Sequence, residues 1–262
     1  MSTAALVRIR ARADSTLVIL VAAIAAAWGI AAWAELSGAA ALVHHHTLFH
    51  SVRDAGMPLW TAILMIAGSW QVMTAAMMLP TSLPMFRLYA RAAGRAPSAG
   101  ASLALFLLAY FAVWTAFAVP AFIGDMGLHQ LVHSWPLLAA NERIIPAATL
   151  GIAAGWQLTP LKDACLRECR HPALFLQRYY ARGPRAGFVL GLRHGMFCLG
   201  CCWALMLVMF AAGVAHLAWM GALAIIMLAE KTFPRGERLT LPIGVTFAAL
   251  AIGALIFPVP GF

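Results

Sequence analysis

Long apolar runs alternate with short polar, mostly basic segments along nearly the whole chain. Seven runs stand out: Leu17–Ala34, Met57–Leu79, Ala101–Ile123, Ile144–Leu158, Ala186–Gly213, Val214–Ala229 and Leu241–Phe257. Most approach the roughly 20 residues a helix needs to cross about 30 Å of hydrocarbon. Lipid gives the backbone no water partners, so each run is expected to be a helix. The fourth is the weakest, being short and holding Pro146. The expected fold is all-α: one polytopic transmembrane bundle of seven spans over residues 1–262.

Composition supports that reading. Of 262 residues, 63% are hydrophobic and 10% charged, whereas soluble domains are near half apolar and a quarter charged. The net charge of +9 would suit nucleic acid in a soluble protein. Here the basic residues lie in short loops between apolar runs, so topology accounts for them and no nucleic-acid partner is expected.

Their placement predicts an orientation. Arg8, Arg10 and Arg12 precede the first run. Arg87, Arg91 and Arg95 follow the second. Lys162, Arg167, Arg170, Arg178, Arg182 and Arg185 follow the fourth, and Lys231, Arg235 and Arg238 follow the sixth. The alternate loops hold only Arg53 and Arg143, with Arg193 inside the fifth run. Fifteen against two places the N-terminus in the cytoplasm and the C-terminus outside. The first run, after its basic start, also has the form of a signal peptide, but its length favours a retained anchor.

The fifth run carries the densest chemistry. At 100° per residue, His194, Cys198 and Cys201 fall within about 60° of one another, with Cys202 beside them. Gly187, Gly191 and Gly195 form an i, i+4 ladder on nearly the same face, which lets a neighbouring helix come close. Buried cysteines also serve as small hydrophobes, yet polar groups inside a membrane are costly and usually functional. In the second run Met73 and Met77 share a face, and Met73 is expected near the depth of His194. Thioether, thiolate and imidazole donors together suit a soft ion such as Cu(I). Arg193 is expected to snorkel toward the cytoplasm or to pair with Glu230.

Two further groups lie outside that run. Cys165 and Cys169 are one helical turn apart in a basic cytoplasmic loop, whose cations favour thiolate. The cytoplasm keeps such thiols reduced, so a disulfide is not expected there and the loop is a candidate metal relay. Asp125, His129 and His133 follow i, i+4, i+8 spacing and form a candidate external site for Zn²⁺ or copper if that segment is helical. The His44–His46 run with His50 is a weaker external signal. No P-loop, GxGxxG, HExxH or serine-nucleophile elbow is present, so those enzyme classes are not expected, and enzymatic activity stays open with a non-enzyme favoured.

Four segments carry a family resemblance: Trp70 through Met73-Thr74 and Ala76-Met77-Met78-Leu79-Pro80; Pro160-Leu161-Lys162 with Cys165-Leu166 and Cys169-Arg170; Arg193-His194-Gly195 with Cys198-Leu199-Gly200-Cys201-Cys202-Trp203-Ala204-Leu205-Met206; and Trp219-Met220 with Glu230-Lys231. Over roughly residues 60 to 235 the chain resembles an uncharacterised bacterial family of predicted metal-binding integral membrane proteins. The resemblance implies a multi-pass protein of the bacterial inner membrane. It also implies metal-linked roles for Met73, Met77, Cys165, Cys169, His194, Cys198, Cys201 and Cys202.

Three functions are expected to compete. The first is a metal-handling protein that binds or moves a soft ion through an intramembrane Met/Cys/His site. The second is a membrane thiol oxidoreductase using Cys198 and Cys201, and the third a structural subunit of a larger membrane complex. The expected partners are the lipid bilayer, a metal ion and a membrane or periplasmic protein.

Overall fold

The computed structural model describes residues 3–40, 56–94, 96, 98–141, 143–212 and 216–257. His44, His45, His46 and His50 lie outside the described residues. The helices are α1 (Thr3–Leu36), α2 (Leu59–Ala93), α3 (Ala99–Ser134), α4 (Pro136–Ala139), α5 (Ile144–Gln157), α6 (Pro160–Arg170), α7 (Pro172–Tyr179), α8 (Pro184–Ala212), α9 (Leu217–Thr232) and α10 (Thr240–Ile256). A 3₁₀ turn, Gly236–Leu239, leads into α10. Every one of these elements is helical.

Five stretches are long and apolar enough to cross a membrane: Ser15–Leu36, Leu59–Ala93, Ala99–Gly124, Pro184–Met209 and Gly236–Ile256. A sixth arises if α5 and α6, bent by 67° at their junction, count as one broken span. The 14 residues of α5 rise only about 21 Å, and the 16 of α9 about 24 Å. The seven-span count therefore needs these two short helices, and five or six is what the described helices carry by length.

The surface is built for an apolar solvent. Val18, Ile19, Trp33, Ile63, Leu64, Leu108, Val245, Ile252 and Leu255 face outward, while Thr74, Ser82, Gln157, Lys162, His194, Glu230 and Lys231 are buried. Water would reverse that distribution.

Proline organises the helices in two ways. Pro136, Pro160, Pro172 and Pro184 are the first residues of their helices, where the missing N–H costs nothing. Pro80 and Pro84 sit inside α2. Pro80 cannot donate to the carbonyl of Ala76, and the indole Nε1 of Trp28 on α1 donates to that carbonyl at 3.0 Å instead. A side chain on one helix thus satisfies a backbone group that proline frees on another, as a dry environment demands.

The glycine ladder meets α3. A Cβ at Gly187 would collide with the Ser102 carbonyl and lie 2.6 Å from Tyr89 Oη. One at Gly191 would collide with the Phe106 carbonyl and lie 2.9 Å from Ala109, and one at Gly195 would lie 3.0 Å from Val113. Gly187, Gly191 and Gly195 are glycine because α3, by its backbone at the first two and by Val113 at the third, occupies the space of a side chain. Gly191→Ala should therefore destabilise the protein by about 1–3 kcal/mol through overpacking. Gly221→Ala and Gly253→Ala, where an added Cβ meets nothing within 4 Å, should be near neutral. Thermal unfolding in detergent compares the three; equal midpoints for all would refute the close α3–α8 contact.

Candidate metal centre

Side chains from α2, α3, α6, α8 and α9 converge on the middle of α8. Across the core, α2 and α8 match in antiparallel register. Phe86 lies against His194, with ring centroids 6.2 Å apart. One turn on, Ser82 Oγ is 3.9 Å from Cys198 Sγ. One further turn on, Cys202 Sγ is 3.8 Å from Met78 Sδ. Each step moves four residues along both helices, as parallel axes require.

That register corrects one expectation. Phe86, not Met73, stands level with His194, and Met73 lies thirteen residues, or about 20 Å, further along α2. Met73 and Met77 are both buried, but the thioether in contact with a cysteine is Met78.

Cys198 is the centre of one polar cluster in the core. Its Sγ is 3.1 Å from Tyr110 Oη and 3.2 Å from Lys231 Nζ. Ser82 Oγ is 3.1 Å from the same phenol, and Lys231 also donates to Thr81 Oγ1 at 3.0 Å. Cys201 and Cys202 donate back to the Cys198 carbonyl at 3.1 and 2.9 Å. His194 sits among the rings of Phe86, Phe106, Tyr110 and Phe175, at centroid distances of 6.2, 6.0, 5.6 and 5.7 Å. Its buried Nε2 has no hydrogen-bond partner among the described residues, and a buried polar atom without a partner calls for an explanation.

A second network lies beside the first. Lys162 Nζ pairs with Glu230 Oε2 at 2.8 Å, both side chains buried, and donates to the Cys201 carbonyl at 3.0 Å. Gln157 Nε2 donates to Glu230 Oε1 at 2.8 Å. Arg170 donates to the carbonyls of Glu230 and Phe233 and pairs with Glu237 at 2.8 Å. It thereby satisfies the open carbonyls at the end of α9, as basic side chains do at helix C-termini.

These contacts correct the reading of the charges. Glu230 pairs with Lys162, while Arg193 lies over the Tyr179 ring at 4.8 Å. Lys162 and Lys231 are interior groups rather than loop charges. The bend after α5 carries Lys162 inward, and Lys231, next to Glu230 on the last turn of α9, turns toward Cys198. Their one trace in the sequence was their place inside the matching segments.

Cys165 and Cys169 also face inward, toward α8. Cys169 Sγ is 3.9 Å from Cys201 Sγ, and Cys165 Sγ occupies the space a Cβ at Gly200 would need. The structure therefore brings four of the five cysteines into two sulfur contacts or polar links around Cys198 and Cys201, with Cys165 adjoining. At the far end α3 stays helical through Asp125, His129 and His133 to Ser134, which places these positions along one helix; their side chains lie outside the described residues.

Among the described residues no three His, Cys, Asp or Glu side chains form a ready-made metal cluster. The sulfurs are paired instead. Two thiolates on one tetrahedral ion with bonds of about 2.3 Å stand about 3.8 Å apart, the spacing of Cys202–Met78 and Cys169–Cys201. The donor types suit a soft metal.

Comparison with known proteins agrees in kind. Residues 68–254 match the PpoB2 family, described as a copper chaperone. The match spans most of the chain, and the chain belongs to that family. No curated protein and no solved structure matches it.

Breaking the buried ion pair should be costly. Glu230→Gln leaves Lys162 without a counter-charge, and loss of one partner of a buried pair costs about 3–5 kcal/mol. The expected result is a clear drop in unfolding midpoint in detergent, partly recovered by adding Lys162→Met. An unchanged midpoint for Glu230→Gln would show that the pair does not hold the bundle.

Proposed function

We propose that this chain handles copper within the bacterial inner membrane, taking Cu(I) on the sulfurs of its core and passing it on. The observation that carries the reading is the run of sulfur contacts from Met78 and Cys202, past Cys198, to Cys201 and Cys169, in a member of a copper-chaperone family. Cys198, Cys201 and Cys202 are the central donors. His194 is a further one, with its unpartnered Nε2, and Met73 and Met77 extend the soft lining along α2. Cys165 continues the series on α6. His129 and His133, on the far end of α3, are candidates to receive the ion outside. The chain contributes no nucleotide site, so movement of copper follows gradients or a partner's affinity. A membrane or periplasmic protein partner would accept or supply the ion.

The test is copper stoichiometry of the full chain, purified in detergent under reducing, copper-replete conditions. Wild-type protein should hold Cu(I), and Cys198→Ser with Cys202→Ser should lose it while keeping its helical signature. Serine is close in size but a poor soft-metal donor. Because thiol donors must lose a proton to bind, occupancy should fall as pH is lowered. Copper-free wild-type protein would overturn the reading and favour a structural role for the cysteines.

The proposed orientation is N-in and C-out with seven spans, α5 and α9 being the short ones. Excluding the buried Lys162 and Lys231, the asymmetry is still thirteen basic residues against two. Reporter fusions at Gly94 and Gly236 should register the cytoplasm and a fusion at Ser134 the outside. A cytoplasmic signal at Ser134 would refute it.

A further inference from the structure

We propose that Cys169 and Cys201 form a reversible disulfide that closes the inward end of the sulfur series. The effect on copper rests on the function proposed above; the disulfide itself does not.

The geometry selects this pair. The two Sγ atoms are 3.9 Å apart, so bonding at about 2.05 Å requires them to close by roughly 2 Å. They belong to different helices, α6 and α8. The pair suggested by sequence, Cys198 and Cys201, is less suited. Both lie on one regular helix, where residues three apart hold their Cβ atoms about 5–6 Å from each other, beyond the roughly 3.8 Å a disulfide favours.

Accessibility sets the order of events. Cys169 is half-buried and Cys201 fully buried. Arg170, the next residue, pairs with Glu237, whose side chain is 49% exposed, so this end of α6 meets water. On the proposed topology this end faces the cytoplasm, which keeps thiols reduced, so the bond forms only when a low-molecular-weight disulfide accumulates as oxidant. Cys169 thiolate attacks one of its sulfurs, forming a mixed disulfide and releasing one small thiolate. Cys201 then attacks the Cys169 sulfur, forming the Cys169–Cys201 bond and releasing the second. The protein gives up two electrons and two protons; the small disulfide accepts both and leaves as two thiols. The new bond ties α6 to α8 and withdraws two sulfurs, which separates Cys165 from the core donors. A dithiol reductant reverses the sequence.

The experiment treats full-length protein in detergent with oxidised glutathione. Free thiols are alkylated after denaturation, and cross-linked peptides are mapped by mass spectrometry. Cys169 and Cys201 should be joined, with Cys165, Cys198 and Cys202 alkylated, and dithiothreitol should undo the link. Cys198→Ser should leave the link intact, while Cys169→Ser should abolish it. Oxidised protein should hold less Cu(I) than reduced protein and recover on reduction. Free thiols throughout, or a main link between Cys198 and Cys201, would overturn the proposed site. An intact Cys169–Cys201 link with unchanged copper content would overturn the closing role. Protein that binds no copper in either state but forms this link would overturn the copper reading and leave the disulfide standing.

Discussion

The buried pair between Lys162 and Glu230 constrains almost everything around the core. In an apolar interior each charge alone costs several kcal/mol, and the pair is tolerable only when the remaining lone pairs and protons are also satisfied. Here Gln157 at the end of α5 satisfies the second carboxylate oxygen, and the Cys201 carbonyl of α8 accepts another Lys162 proton. Four helices must therefore arrive together. The 67° bend between α5 and α6 is what lets Gln157 and Lys162 reach the same carboxylate from opposite sides of a break. Glu230 fixes the rotation of α9 about its axis, and the next residue, about 100° round, is then directed to Cys198.

Much of the bundle was legible because membranes impose simple rules. Apolar length marked α1, α2, α3, α8 and α10, and the glycine spacing marked the face of α8 that a neighbour would approach. It could not say which neighbour, since a small residue records a close approach and not its partner. The partner is α3, whose own contact surface at Ser102, Phe106 and Ala109 carries no comparable spacing.

The charges misled for a physical reason. A lysine near the end of an apolar run looks the same whether its amine reaches outward to water or inward to a carboxylate. Lys162 and Lys231 go inward because Glu230 and Cys198 are there to receive them, and those partners are 68 and 33 residues away in sequence. Cys165 and Cys169 misled in the same way: flanking arginines suggested a solvated loop, yet the thiols turn toward α8. Met78 was passed over for Met73 and Met77 because an i, i+4 pair is conspicuous. Position in the bundle follows from helix register, which the Phe86–His194, Ser82–Cys198 and Met78–Cys202 contacts establish.

The arrangement of the sulfurs bears on what kind of copper protein this would be. A store or a structural site gathers three or four donors around one point, and the ion then leaves slowly. Here the donors meet in pairs between helices, Met78 of α2 with Cys202 of α8 and Cys169 of α6 with Cys201 of α8, within about a turn of Cys198. Cys198 is held by Tyr110 and Lys231, so an ion must displace a hydrogen bond to engage it and gives that bond back on leaving. On the proposed carrier reading, each move would exchange one partner for another, which would keep the wells shallow along the series. A carrier must bind selectively without holding fast: softness of the donors supplies the selectivity, and competition from the fixed ammonium and phenol limits the grip.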